Sequence, residues 1–424
     1  MKTEPVVLQG RRILVAASGS IAAVKTPLLV SALVKAGAEV RCVVTPSAAQ
    51  LVSPVALASL SRHRCYQDGD EWDSCQPRPL HIALAEWAEL VIVAPLSAST
   101  LARWTQGLAD GLLASLLLAS ECPVIAAAAM NTAMWRHPAV LRNWALLADD
   151  DRVMGLGPEA GLLACDRIGD GRMVSPGLIQ LAVESAFVLS DQQGGLPKDW
   201  SGRQLLVTAG PTVEGLDPAR VLSNRSSGRM GVLIAQAARF RGAAVDLVHG
   251  PLEVPESWLE GLNCHFAPTA AAMQECLSVL QPQADAVAMA AAVADWRRCG
   301  GAAANKLPKR EALSTWSDQL EAVPDLLAEL SQRKPPGQRL LGFAALTGQD
   351  NDIVARAQDK CRLKGCDLLM ANPIDRPDQG FGASANGGWL VSADGRVNAI
   401  PTTSKLALAH DLLNHLQAAM SAGG

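Results

Sequence analysis

The chain has 424 residues, more than one hydrophobic core usually organises, so two domains are expected. It is 49% apolar but only 4% aromatic, which suits helices packed closely on sheets and argues against an aromatic-filled barrel. With 37 basic and 41 acidic residues and a net charge of -4, it lacks the electrostatic footprint of a nucleic-acid or anionic-membrane binder, and small molecules are the expected ligands.

No apolar signal core precedes Gln9-Gly10-Arg11-Arg12, so a cytoplasmic location is expected. Gly10 to Gly19 reads as a buried strand running into a glycine turn, Ser18-Gly19-Ser20, ahead of a helical stretch from Thr26 to Ala36. Backbone N–H groups and small hydroxyls at such a turn can cradle a phosphate, although the same turn is as readily structural. Its spacing is not the dinucleotide fingerprint and points to a mononucleotide. A second strand, Glu39 to Val44, leads into Thr45-Pro46-Ser47-Ala48, and a third, Glu89 to Pro95, into Leu96-Ser97-Ala98-Ser99. Three hydroxyl-bearing turns at successive strand ends can form one pocket.

The run from Leu112 to Met130 approaches membrane-spanning length, but Glu121 and Pro123 interrupt it. It reads as helix, turn and a buried strand, Pro123 to Ala128. The ten cysteines form no CxxC pair and no Cys/His cluster, so neither a zinc site nor a disulfide framework is indicated. The polar segment from Asp191 to Asp199, with Gly194, Gly195 and Pro197, reads as a linker. Expected domains are therefore residues 1–190 and 202–424, joined by 191–201.

Gly202 to Gly210 repeats the opening pattern of the first half, a buried strand into a glycine turn. Further strands are expected at Ala244 to Val248, Ala284 to Ala288, Arg339 to Phe343 and Asp367 to Met370. A hairpin is expected to turn at Asp394-Gly395, and Thr403 to cap a last helix through Leu416. The alternation predicts an α/β fold of two doubly wound, Rossmann-like domains.

In the first half, Gly19-Ser-Ile-Ala-Ala-Val-Lys25, His81-Ile-Ala-Leu-Ala-Glu-Trp87, Ala129-Met-Asn-Thr-Ala-Met-Trp135 and Ala164-Cys-Asp-Arg-Ile-Gly-Asp-Gly-Arg-Met173 stand in this order. Together they resemble the homo-oligomeric flavin-containing cysteine decarboxylases, and phosphopantothenoylcysteine decarboxylase in particular. The resemblance implies a flavodoxin-like FMN domain, with the cofactor held by Ser18, Gly19 and Ser20, by Thr45, and by Ser97, Ala98 and Ser99. Its ring would lie near Met130, and Asn131 would bind the substrate carboxylate. Decarboxylation beside a thiol needs an electron sink, which oxidation to a thioaldehyde provides. His81 would transfer a proton or act electrostatically near the departing carboxylate, as its ordinary pKa suits; by itself it is as readily a packed helix histidine. Cys165, on a substrate-covering flap, would supply the proton for the return reduction, its bland alternative being an inert loop thiol. Arg172, with Met173, would meet the substrate, the guanidinium taking its phosphate. Departures from the pattern are Leu96, Ser99, Ala129, Asp166-Arg167 and Ser175.

Amide formation requires an activated carboxylate. Thr208-Ala-Gly210-Pro-Thr212 and Asn224-Arg-Ser-Ser-Gly-Arg-Met-Gly231 supply hydroxyls and glycines before a helix, either an anion site or a plain helix cap. With Leu216-Asp-Pro218, Ala290-Ala-Ala-Val-Ala-Asp295, Gly342-Phe-Ala-Ala345, Lys360 and Lys364, this half resembles phosphopantothenate–cysteine ligase. The resemblance implies CTP as co-substrate, Mg2+ or Mn2+, an acyl-cytidylate intermediate, and displacement of CMP by cysteine. Asn224 would contact the activated acyl group, Ala290, Ala291 and Ala292 the substrate, and Gly210, Asp295, Phe343, Lys360 and Lys364 the nucleotide. Lys306 would be the functional lysine of a flap, which here reads Lys306-Leu-Pro-Lys309. Leu346 replaces an acid of the pattern, and Arg229 a lysine.

One chain would thus ligate 4'-phosphopantothenate with cysteine and then decarboxylate the product. The family's assembly implies decarboxylase trimers, up to a dodecamer, and ligase dimers. Two alternatives stay open at this level. One is a flavin-binding regulatory protein on the decarboxylase fold; the other is an oxidative cysteine decarboxylase with an unrelated C-terminal domain.

Overall fold

A computed structural model describes residues 7–162, 168–308, 319–377, 379–380 and 382–421. Strand β1 (Arg12–Ala17) is buried from Ile13 onward, as its unbroken apolar run requires. It pairs in parallel with β2 (Glu39–Val44) on one side and β4 (Leu90–Leu96) on the other, Ile13 facing Val40 and Leu90. With β3 (Cys65–Tyr66), β5 (Val124–Ala128) and β6 (Val153–Leu156) the sheet runs β3-β2-β1-β4-β5-β6, parallel throughout. Strand order reverses between β1 and β4, which opens a crevice at their carboxyl ends. Crossover helices including Thr26–Lys35, Leu80–Trp87 and Leu112–Ala119 connect the strands, and Leu84, Leu101 and Leu116 pack with Leu14, Val91 and Val124 in the core. The long apolar run is therefore helix then strand. A hairpin, β7 (Glu159–Leu162) with β8 (Ile168–Arg172), stands outside this sheet.

The helix Pro176–Gln193 carries through the first residues of the polar segment and ends at Gly194, φ +76°, a left-handed C-cap that glycine adopts without steric cost. Lys198 Nζ then donates to the Asp150 carbonyl at 2.6 Å. Contacts divide the chain into two compact units between Lys198 and Asp199.

The second unit repeats the plan on a larger sheet. Strands β9 (Gln204–Ala209), β12 (Ala244–His249), β13 (Asn263–Phe266), β14 (Ala286–Met289), β17 (Arg339–Leu346), β18 (Leu368–Pro373), β19 (Ala385–Ser392) and β20 (Val397–Ser404) lie in the order β13-β12-β9-β14-β17-β18-β19-β20. Pairings are parallel up to β18 and antiparallel beyond it, and the order reverses between β9 and β14. Two small ribbons flank the sheet: β10 (Val213–Asp217) with β11 (Arg220–Ser223), and β15 (Trp296–Arg298) with β16 (Leu320–Ala322). The β19–β20 hairpin turns at Asp394-Gly395, with Gly395 at φ +87°. The last helix, Lys405–Ser421, is capped by Ser404, whose Oγ accepts the Ala407 N–H at 3.1 Å, and not by Thr403. Both doubly wound, Rossmann-like sheets expected for an α/β chain are present. Among the described residues, no helix is long and apolar enough to cross a membrane.

Candidate active sites

In the first unit a cavity of about 460 Å³ opens beyond the carboxyl ends of β1, β4 and β5. Gly19, Ser20, Ser97, Ala98, Met130, Asn131, Arg172 and Met173 all line it. Three local devices bring them together. The Ser18 hydroxyl is fully buried, donates to the Pro95 carbonyl at 2.7 Å and accepts the Ser97 N–H at 2.8 Å, so it ties the end of β1 to that of β4. Ser97 caps the helix Ala98–Thr105 through the Thr100 N–H. Gly171 brings β8 against the Met130–Thr132 backbone: its carbonyl accepts the Met130 N–H at 3.1 Å, and a Cβ there would stand 2.1 Å from the Met130 oxygen.

Asn131 caps the short helix Thr132–Trp135, its Oδ1 accepting the Ala133 N–H at 2.9 Å, and faces the cavity from this fixed rotamer. Thr45 likewise caps Pro46–Ala49, accepting from Ala48 at 3.2 Å; it and the exposed Ser99 do not line the cavity. Among the described residues no carboxylate lines it, whereas Lys25 and Arg172 do, beside an apolar wall that includes Ile21, Val24 and Met134. Two cations and hydroxyl-bearing turns next to an apolar wall match the chemistry of a phosphate joined to a flat ring system.

His81 stands outside this cavity. Its Nδ1 lies 2.6 Å from Glu71 Oε1, and its backbone N–H donates to Glu71 Oε2 at 3.0 Å. With a carboxylate as its partner Nδ1 is the nitrogen that donates, which places the lone pair of a neutral ring on Nε2. Glu71 carries no sequence signal, since it lies in an acidic stretch with Asp68 and Asp70 that reads as a solvated loop. Cys165 lies outside the described residues.

The second unit holds two adjoining cavities at its β9/β14 reversal. One, about 290 Å³, is lined by Asp295, Asp325, Phe343, Lys360 and Lys364 among others. Lys364 Nζ contacts Asp325 Oδ2, and burial holds the Lys364 ammonium below the usual lysine range while Asp295 opposes that shift. The other, about 140 Å³, lies between the Ser226–Met230 turn and Lys405 and includes Ala290, Ala291 and Ala292. The two share Ala291 and Phe343.

The alanine segment is held by β9 and the turn after it. Thr208 Oγ1 accepts the Ala291 N–H at 3.0 Å, the Gly210 carbonyl accepts from Ala292 at 2.9 Å, and Thr212 Oγ1 accepts from Ala294 at 2.9 Å. Asn224 Nδ2 donates to the Ala292 and Val293 carbonyls at 3.2 and 2.9 Å. Lys306 is exposed and lines neither cavity; its neighbour Leu307 donates its N–H to Asp217 Oδ2 at 3.2 Å. Leu346 is buried in the core. Lys405 and Asn386 went unnoticed in the sequence, because an isolated Lys after Ser404 and an Asn inside a strand carry no motif.

The family model described as "Flavoprotein" matches residues 1–187, and that described as "DNA/pantothenate metabolism flavoprotein C-terminal domain" matches residues 200–420. The "Coenzyme A biosynthesis bifunctional protein CoaBC" of Bacillus subtilis (strain 168) is 37% identical over 415 residues, 97% of this chain and 98% of that protein. A structure of a PPC decarboxylase mutant complexed with pantothenoylaminoethenethiol is 37% identical, covering 41% of this chain and 97% of that one, with a TM-score of 0.39. A structure of the C-terminal domain of CoaBC is 28% identical, covering 53% of this chain and 99% of that one, with a TM-score of 0.42.

Proposed function

The chain belongs to the family of coenzyme A biosynthesis bifunctional proteins, and on that premise we propose that its second unit ligates 4'-phosphopantothenate to cysteine and its first unit decarboxylates the product to 4'-phosphopantetheine. The observation that carries this reading is a separate cavity system at the strand-order reversal of each sheet, in a chain whose likeness to its relative runs through both units. That extent leaves no place for an unrelated C-terminal domain.

FMN fits the first cavity and, when bound, supplies the thiol oxidation that creates an electron sink beside the carboxylate. Gly19, Ser20, Ser97, Ala98 and Lys25 hold its phosphate end, with Ser18 and Thr45 shaping the turns and Ser99 at the outer edge. Met130 packs on its ring. Asn131 holds the substrate carboxylate, Arg172 and Met173 receive the phosphopantetheine arm, and Cys165 protonates the enethiol carbon in the return step. His81, directed by Glu71, serves the carboxylate from outside its own cavity. That placement, with Ile21, Val24 and Leu28 exposed nearby, supports a site completed by a second copy, in trimers or a higher assembly of them.

In the ligase unit, attack of the acid's carboxylate on the α-phosphorus of CTP breaks the bond to pyrophosphate and forms the acyl-cytidylate. The amine of cysteine then attacks the acyl carbon, and CMP leaves. Asp295, Phe343, Lys360 and Lys364 receive the nucleotide with Gly210, Ala290, Ala291 and Ala292 hold the acyl arm, and Asn224, fixed by two carbonyls, faces the acyl group. Lys306 reaches the phosphates only when its segment moves inward. Among the described residues, Asp295 and Asp325 are the acidic groups lining the nucleotide cavity, so Mg2+ or Mn2+ would take most of its oxygens from phosphates and water. Phosphorylated acids do not cross membranes, which fits a cytoplasmic enzyme, and ligase dimers complete the proposed assembly.

The test is turnover by the full chain with 4'-phosphopantothenate, cysteine, Mg2+ and either CTP or ATP. Pyrophosphate, carbon dioxide and 4'-phosphopantetheine are expected with CTP. Pyrophosphate without carbon dioxide would refute the first-unit assignment, and no pyrophosphate with either nucleotide would refute the second.

A further inference from the structure

The end of the helix Asp350–Lys364 brings two thiols together. Gly365, at φ +65°, gives this helix a left-handed cap, and its N–H donates to the Arg362 carbonyl at 3.3 Å. A cap of this kind folds the residue after the glycine back onto the last turn, where a pair of apolar side chains commonly closes the motif. Here both members of the pair are cysteines, Cys361 and Cys366. They are 2% and 1% exposed, both are free, and the Cys366 S–H donates to the Cys361 sulfur at 3.8 Å. Either cysteine alone would serve as a small apolar plug. Two facing sulfurs can do more. Among the described residues no further His, Cys, Asp or Glu joins them in a group that could hold a metal ion, so the chemistry open to the pair is that of thiols.

The two cysteines are unequally anchored. Cys366 leads straight into β18: the Asp367 N–H donates to the Leu340 carbonyl at 3.0 Å, and Leu368 pairs with Leu341 on one side and Ser392 on the other. Its sulfur is also packed on β17, since a Cβ on Gly342 would stand 3.5 Å from it. Cys361 lies instead on the last turns of the helix, between Lys360 and Lys364, which line the larger ligase-unit cavity. Its own S–H donates to the Cys366 carbonyl at 3.4 Å. Donation from Cys366 holds the Cys361 thiol below the usual thiol range in spite of its burial, while the same hydrogen bond and burial push Cys366 up. Cys361 is therefore the thiol that ionises first, and the thiolate is the nucleophile.

We propose that Cys361 and Cys366 are a modification site, a thiol pair that a hydroperoxide converts to a reversible disulfide and that thereby controls nucleotide binding in the ligase unit. The assignment of the affected ligand rests on the ligase reading above. The Cys361 thiolate attacks one oxygen of hydrogen peroxide and breaks the O–O bond; the sulfur becomes a sulfenic acid, and the departing hydroxide takes up a proton as water. The Cys366 sulfur then attacks the sulfenic sulfur, and its proton leaves with the hydroxyl as a second water. Two thiols have lost two electrons to the peroxide. The sulfurs must close from 3.8 Å to about 2.05 Å. Because Cys366 is tied into the sheet, that movement falls on the helix end and displaces Lys360 and Lys364 from the nucleotide. In a reducing compartment such a bond is transient and redox-sensing.

The full chain is treated with hydrogen peroxide, divided, and one half reduced again with dithiothreitol. Pyrophosphate release is measured at varied CTP, and tryptic peptides are mapped by mass spectrometry. Trypsin cuts after Arg362 and Lys364, so the two thiols fall on separate peptides that only the disulfide joins. The oxidised wild type should show the joined peptides and a KM for CTP raised about tenfold, the loss of roughly one charge-assisted contact. Dithiothreitol should restore both. Cys361→Ala and Cys366→Ala should keep the untreated KM and no longer respond to peroxide. The other cysteines stay in both variants, so a response that persists in them belongs elsewhere and overturns the proposal. An oxidised wild type without the joined peptides, or with them and an unaltered KM, overturns it as well. If neither variant folds, the joined peptides and the reversal of the KM are read on the wild type alone. An untreated wild type that releases no pyrophosphate refutes the ligase reading, and the peptide map still reports separately whether the disulfide forms.

Discussion

A histidine performs directed proton transfer only when its ring is held and its tautomer fixed. His81 meets both conditions through one carboxylate, because Glu71 engages its ring nitrogen and its backbone N–H together. Glu71→Gln keeps the size and one acceptor but replaces the carboxylate that engages the ring nitrogen and the backbone N–H. Decarboxylation of supplied 4'-phosphopantothenoylcysteine should fall on the order of 10²-fold, the low end of general acid–base contributions. Pyrophosphate release in the other unit should be unaffected, which a paired assay of the two half-reactions checks. The motif around His81 was legible because its residues are contiguous. Its partner was not, because the residues between them, Trp72 to Leu80, have no periodicity that would betray a return to the helix end. Asn131 was legible for the same reason, but not its double duty as cap and cavity wall.

The elements that carry the sites were legible where burial imposes a mostly apolar run: β1, β2, β4 and β5 in the first sheet, and β9, β12, β14, β17 and β18 in the second. The ribbons β7–β8, β10–β11 and β15–β16 were not, since sequences such as Ile168-Gly-Asp-Gly-Arg172 have no alternation and pair through tertiary context. The turn into Arg229–Phe240 joins these levels. Gly228 has φ +75°, and a Cβ there would stand 3.0 Å from the Gly210 nitrogen and 2.2 Å from Leu252 Cδ2. Left-handed backbone alone costs a side chain about 1–2 kcal/mol. Gly228→Ala should therefore displace the turn, lower the thermal midpoint of the ligase unit and reduce pyrophosphate release at least about tenfold, with decarboxylation of supplied intermediate retained. Equal loss of both half-reactions would contradict a local effect.

Over the whole molecule, two units with separate cores imply two unfolding transitions, and the buried titratable groups predict which one acid moves. His410 is fully buried in the second unit beside Arg241, whose Nη1 donates to the His410 carbonyl at 3.2 Å. Burial, and then the charge of Arg241, push its imidazole down to about 3 from 6.5. In the unfolded chain the ring takes a proton as pH drops through 6.5, while in the folded unit it stays neutral to about 3. The unfolded state thus binds more protons throughout this window, and stability must fall as pH falls. The full slope is about 1.4 kcal/mol per pH unit for one such group. Calorimetry of the full chain between pH 7 and 4 should show one transition descending more steeply. His410→Leu, which keeps an apolar side chain in that core, should remove the excess slope from the same transition. Because ligation belongs to the second unit, its irreversible loss after brief acid exposure should precede loss of decarboxylation, and His410→Leu should bring the two losses together. A steeper acid response in the first unit, or a slope unchanged by His410→Leu, would show that the carboxylates and not this histidine govern acid lability.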